Sequence, residues 1–193
     1  LIMLIHEKGP FVRGSILLIS FLVLFCVLLT PIMRDEKGNH LTGLQYADNV
    51  FNELSKGSSY FIPSVREHVK TVEKVNVKVT VTMKKAELAE TAVQVLTKAG
   101  MTASADGAKV SYEGNLAAML NAATTDADSL YHNDAATVSA RYDGTHALKA
   151  AAAWWYVLSP SIKELQKQRL IAEAQVVDQV LRRAVEPGNN FYS

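Results

Sequence analysis

From Gly14 to Met33 the chain reads GSILLISFLVLFCVLLTPIM, twenty residues without a charge. At ~1.5 Å per residue a helix of that length reaches about 30 Å, the thickness of a bilayer's hydrocarbon. Apolar side chains fall on every helical face, so no polar stripe marks the surface helix of a soluble domain. The following LLTPIMRDEKG lacks the small-residue cleavage pattern of a secretory signal. The stretch therefore predicts an uncleaved single-pass transmembrane anchor, with the lipid bilayer as its first partner.

Orientation does not follow from charge. Lys8 and Arg13 precede the span, and Arg34 and Lys37 follow it, so the positive-inside count is tied. Most of the mass follows the span, and a large domain translocates largely regardless of its own charge. The expectation is a short cytoplasmic segment over residues 1–13, an anchor over 14–33, and an extracytoplasmic domain, periplasmic in a Gram-negative bacterium.

Among the 20 Lys and Arg and 19 Asp and Glu, only Lys8, Arg13 and Glu7 lie before Arg34. The remainder is neutral, without the basic excess of a nucleic-acid binder. Cys26 is the one cysteine and sits inside the apolar stretch. That excludes an intrachain disulfide framework and a cysteine zinc site.

After a polar exit at RDEKGNH (Arg34–His40), Leu44, Ala47, Phe51 and Leu54 recur at helical spacing, with Gly57 as a stop. SSYFIPSV reads as an irregular connection in which Pro63 blocks helix continuation. Residues 34–74 thus form a juxtamembrane helix and connector. VNVKVTVTM, Val75–Met83, alternates over nine residues and predicts a strand with one covered and one polar face. KKAELAETAVQVLTKAG switches to helical spacing. Asp106-Gly107 between two short alternating runs predicts a hairpin. Asn115 is placed to cap a helix through Leu116, Leu120, Ala123, Ala127 and Leu130. AATVSARYDG alternates again through Ala136, Val138, Ala140 and Tyr142.

The order strand, helix, hairpin, helix, strand is the split βαβ pattern of an α+β, ferredoxin-like (βαββαβ) domain over residues 75–144. Two helices would cover one face of a four-stranded sheet. Residues 145–193 form a helical extension. One helix ends near Leu158. A second begins at Ser159-Pro160 or Ser161, runs through Leu170, Ala174, Val177, Leu181 and Ala184, and ends at Pro187-Gly188.

No G-x-S-x-G elbow, P-loop or G-x-G-x-x-G is present. TTDADSLYHND offers a metal reading, with Asp128 and His132 on one helix face and Asp126 and Asp134 near in sequence, but a His near a helix C-terminus and acids at a solvated end are ordinary dipole chemistry. Asp143, Thr145 and His146 at a helix start read as caps. No catalytic, metal or cofactor-binding set is assigned and no cofactor is expected. An enzyme built on His132 or His146 remains a third alternative, and a small-molecule ligand is not favoured.

AAAAWWYVLSP is the most unusual segment. Trp154, Trp155 and Tyr156 read either as core or as a protein interface, or as a contact with the headgroup zone. With Leu170, Val177 and Leu181 on the C-terminal helix, and Leu44 and Phe51 on the juxtamembrane helix, they are the interface candidates. The expected function is a non-catalytic accessory or scaffold subunit of a larger membrane complex, its partners being other subunits of that complex. The alternative is a ligand-binding or sensory domain using the open sheet face at Asn76, Lys78, Thr80 and Thr82.

Overall fold

The computed structural model of the chain describes residues 8–34 and 38–192. Residues 1–7 of the expected cytoplasmic segment, and 35–37 of the expected polar exit, lie outside the described residues. The fold is mixed α+β with two small sheets and one apolar N-terminal helix. It divides between Ser58 and Ser59 into two compact units.

In the first unit, α1 (Lys8–Leu29) is strongly apolar and has no buried residue. It is long and apolar enough to cross a membrane. It starts before Gly14 and stops before Met33, the expected limits, because Pro31 supplies no backbone N–H to continue the ladder. The Thr30 hydroxyl instead donates back to the Val27 carbonyl at 2.6 Å. A short ribbon follows: β1 (Met33–Arg34) pairs antiparallel with β2 (His40–Leu41), Met33 opposite Leu41. Then comes α2 (Gly43–Ser58). At its start the Gln45 side chain accepts from Thr42 N–H at 2.9 Å, and Thr42 Oγ1 accepts from Gln45 N–H at 3.2 Å. This is a reciprocal capping box.

The second unit begins with α3 (Ile62–Lys70). The expected irregular connection is a helix there: Pro63 falls in its first turn, where the missing N–H costs nothing and the fixed φ suits a helix. β3 (Asn76–Thr82) buries Val77, Val79 and Val81 and exposes Asn76, Lys78, Thr80 and Thr82, the alternation expected of VNVKVTVTM. A 3₁₀ turn (Ala86–Leu88) leads into α4 (Ala89–Lys98), which Gly100 closes at φ +85. β4 (Thr102–Asp106) and β5 (Lys109–Asn115) form the hairpin. Its two central residues are Gly107 and Ala108, one position later than expected. Gly107 has φ +58, the type II′ arrangement with Gly first. Asn115 caps α5 (Leu116–Tyr131) as expected, accepting from Ala118 N–H at 2.9 Å.

The sheet order is β3-β5-β4, with β5 antiparallel to both neighbours. β3 and β4 therefore run parallel with β5 between them, as in a split βαβ. The fourth strand of a ferredoxin-like sheet is absent among the described residues. Ala136–Tyr142 is not a strand; α6 (Ala135–Arg141) occupies it, with Asp134 capping Thr137 N–H at 3.1 Å. Val138 and Tyr142 are buried while Ala136 and Ala140 are exposed. Val138 and Tyr142 stand four apart, so the same residues satisfy both a period of two and one helical turn. At β3's outer edge the Gln168 side-chain amide donates to the Lys78 carbonyl at 3.0 Å, giving that edge acceptor a partner.

A second departure lies in what covers the sheet. The buried face packs on α4 and on α7 (Ala147–Lys167), whereas α5 packs on the helices behind them. The expected break at Ser159–Ser161 is absent; α7 runs through Pro160. Its buried positions continue at helical spacing through Val157, Leu158, Ser161 and Leu165, and that burial outweighs the hydrogen bond Pro160 forgoes. Ser161 Oγ donates to the Val157 carbonyl at 2.6 Å and accepts from the Tyr112 hydroxyl at 2.7 Å. The turn comes later, at Arg169 with φ +64. Then follow α8 (Ile171–Val180), a π-helical turn (Leu181–Val185) and α9 (Glu186–Asn190). Pro187 and Gly188, expected to end a helix, lie inside α9, with Pro187 in its first turn.

Candidate functional site: an aromatic ridge on α7

Three consecutive aromatics on one helix cannot share a face, since neighbours are ~100° apart. The fold separates them. Trp154 is 1% exposed and belongs to the core. Its indole N–H donates to Asp126 Oδ2 at 2.7 Å. Asp126, itself 1% exposed, also accepts from the Tyr142 hydroxyl and is ion-paired to Arg141. A buried carboxylate is tolerated where donors and a counter-charge meet it: Oδ2 takes the Trp154 and Tyr142 donors, and Oδ1 faces the Arg141 guanidinium. Burial raises the Tyr142 pKa above the ordinary phenol value, against a smaller lowering by Trp154 and Arg141.

Trp155 and Tyr156 point the other way and are half-buried. Their rings meet edge to face, centroids 5.0 Å apart at 80°. The Trp155 indole N–H donates to Glu186 Oε1 at 3.1 Å, and Lys85 Nζ lies 5.7 Å from the Tyr156 ring centre. The pair forms a ridge between two hollows. The larger, about 400 Å³, is lined by Ala151, Ala152, Val185, Glu186, Asn189 and Asn190 as well as the ridge. The smaller, about 190 Å³, lies toward Thr82, Lys84, Pro160 and Lys163. Small alanines on α7 and the wider turn of the π-helical segment leave the larger hollow open beside the indole. π-turns recur at functional sites; this one immediately precedes Glu186, whose carboxylate meets the Trp155 indole.

The remaining interface candidates divide similarly. Val177 and Leu181 are buried within the unit's own core, and so is Trp154, so none of the three presents a surface to a partner. Leu170 is partly buried against that core. Leu44 and Phe51 on α2 are 55% and 69% exposed.

The open sheet face is polar along its length. Thr80 and Ser111 share a hydroxyl hydrogen bond at 2.9 Å, and Lys78 pairs with Glu113 at 2.8 Å. A shallow hollow of about 230 Å³ lies over it. These groups satisfy one another across the strands, as on an ordinary solvated face.

Asp128 accepts from the Tyr60 hydroxyl at 2.9 Å and ion-pairs with Arg66 at 3.4 Å, and His132 Nδ1 lies 3.3 Å from its carboxylate. It joins α3 to α5. Among the described residues no group of three or more His, Cys, Asp or Glu is placed to hold a metal ion. The Asp143, Thr145 and His146 trio does not converge: Asp143 pairs with Lys98 at 3.1 Å, and the Thr145 hydroxyl donates to Gln94 Oε1 at 2.9 Å.

Sequence reading set Asp126 beside a candidate metal site rather than in the core, and missed Glu186. Asp126 carried a usable signal, since it lies three residues after Ala123 and four before Leu130, on the apolar stripe of α5. Glu186 is 31 residues from Trp155, and no local pattern joins them. Comparison with protein-family models, curated proteins and solved structures found no match.

Proposed function

We propose that this protein is a non-catalytic accessory subunit of a membrane complex, tethered by α1 and docking to another subunit through the Trp155–Tyr156 ridge. The observation that carries the reading is α1 itself: a helix of 22 residues with none buried. So much apolar surface needs a cover, and its length matches a bilayer's hydrocarbon. The residue 59–192 unit is placed on the extracytoplasmic side, since a large domain can translocate regardless of its own charge. Tethering confines the ridge to a thin layer, and a high effective concentration lets a modest contact suffice. Indole and phenol rings beside a hollow of mixed polarity suit a partner side chain with an apolar body and a polar tip, and such rings are typical binding anchors.

Carbonate washing followed by gentle detergent extraction and sizing tests the reading. The protein is expected to stay with membranes through the wash and to elute in an assembly larger than its own 21.1 kDa plus a micelle. Trp155→Ala and Tyr156→Ala should reduce co-purification of that assembly while leaving the chain folded. Release by carbonate would end the anchor reading, and elution as a lone chain the subunit reading.

A further inference from the structure

We infer that α2 lies in the plane of the membrane, with its apolar face in the boundary between lipid headgroups and acyl chains; this rests on α1 being an anchor. At ~100° per residue, Tyr46, Val50, Leu54, Ala47, Phe51 and Leu44 fall within an arc of about 160°. Asp48, Asn52, Glu53 and Lys56 occupy the opposite side. No residue of α2 is buried, and Leu54 is 65% exposed. The face is left uncovered in a helix that carries a capping box and a clean division of polarity.

The position of α2 within its unit identifies the cover. The β1–β2 ribbon folds the chain back after α1. The His40 ring Nδ1 lies 3.1 Å from the Pro31 carbonyl, tying the ribbon to the end of the helix. Gly43, the first residue of α2, then meets the last turn of α1. A Cβ there would lie 2.9 Å from Leu28 Cδ2 and 3.2 Å from the Leu28 carbonyl, so glycine lets the two helices meet this closely without a shift of Leu28. With α1 across the hydrocarbon, Leu28 is near its edge and α2 starts at the same level. An arc of this width suits a broad apolar surface better than the narrow seam of a helix pair. Phe51 and Tyr46 supply rings of the kind that settle at the interface. The polar side carries Asp48, Glu53 and Lys56, which gives no attraction to anionic lipid; attachment comes from apolar area.

Spin labels on the full-length Cys26→Ser protein, reconstituted in phosphatidylcholine vesicles, test this. Labels go at Phe51→Cys and Leu54→Cys on one side of α2, at Asp48→Cys and Asn52→Cys on the other, and at Leu22→Cys within α1. Collision with oxygen reports lipid, and collision with a water-soluble nickel chelate reports water. The expected oxygen-to-nickel ratio at Phe51 and Leu54 is about fivefold that at Asp48 and Asn52 for a face sunk ~5–10 Å, unchanged by added salt. Leu22 should also be lipid-like. If Leu22 is lipid-like but Phe51 and Leu54 match Asp48, α2 is in water and the inference falls while the anchor stands. If Phe51 and Leu54 are shielded from both reagents, a protein partner covers the face and the inference falls in that direction. A water-like Leu22 overturns the anchor reading itself.

Discussion

Trp154 and Asp126 are joined at 2.7 Å by the indole N–H, in a site where each is 1% exposed. The Asp126 carboxylate links α5, α6 and α7 through Trp154, Tyr142 and Arg141. Asp126→Asn keeps the shape but removes the charge facing Arg141 and turns one acceptor into a donor. Breaking a buried pair by removing one partner costs about 3–5 kcal/mol. The Arg141 side chain is 31% exposed and can recover some hydration, so the loss should fall near the lower end. Urea unfolding of the full chain in detergent, followed by the near-ultraviolet tryptophan signal, measures it.

Neighbouring tryptophans should behave differently. Trp154→Ala empties a core site and strips Asp126 of a donor, with an expected cost of about 3–5 kcal/mol. Trp155→Ala removes a half-buried ring and one hydrogen bond at the surface, costing about 1 kcal/mol. Equal destabilisation by the two would mean that the ridge is part of the core and would remove its docking role.

Local patterns made much of this fold readable. The alternation of β3, the hairpin after Asp106 and the Asn115 cap each depend on a few adjacent residues. Failures came where two periods coincide or distant packing decides. Val138 and Tyr142 satisfy both a strand and a helix, and the Asp134 cap tips the balance. Pro160 reads as a stop, yet the apolar face of α7 runs on to Leu165. The division of Trp154 from Trp155 and Tyr156 followed from helix geometry. Which ring would be buried depended on Asp126 and Glu186, both remote in sequence.

Gly188 supplies a test of close packing between α9 and α5. A Cβ there would sit 2.5 Å from the Ala127 carbonyl oxygen and 2.9 Å from Ala127 Cα. These are backbone atoms, which cannot swing aside. Gly188→Ala should destabilise by about 1–3 kcal/mol through overpacking, despite the ~1 kcal/mol that alanine gains over glycine in a helix. Gly57→Ala is the control: nothing lies within 4 Å of a Cβ at that position in α2. It should be neutral or stabilising by up to ~1 kcal/mol. Thermal unfolding of the two variants, monitored by circular dichroism, gives the comparison.

Tyr112 should make the domain sensitive to alkali. Burial between the sheet and α7 pushes its hydroxyl up to about 12, against a smaller opposing effect of the Ser161 hydrogen bond. In the unfolded chain a tyrosine titrates near ~10. Between those values the unfolded chain has lost the proton and the folded one keeps it, so stability falls as pH rises. The contribution is fully present below pH ~10 and is lost by pH ~12, amounting to about 3 kcal/mol. Tyr142, also raised by burial, adds to the same slope. Tyr112→Phe removes one hydrogen bond at neutral pH, at a cost of about 1 kcal/mol, while Ser161 keeps its bond to the Val157 carbonyl. Urea midpoints of the two proteins measured from pH 8 to 12 should therefore converge up to about pH 11 and then cross, Tyr112→Phe being the more stable above it. A constant gap across that range would mean that the Tyr112 hydroxyl ionises as freely folded as unfolded, and that the sheet does not shield it from water.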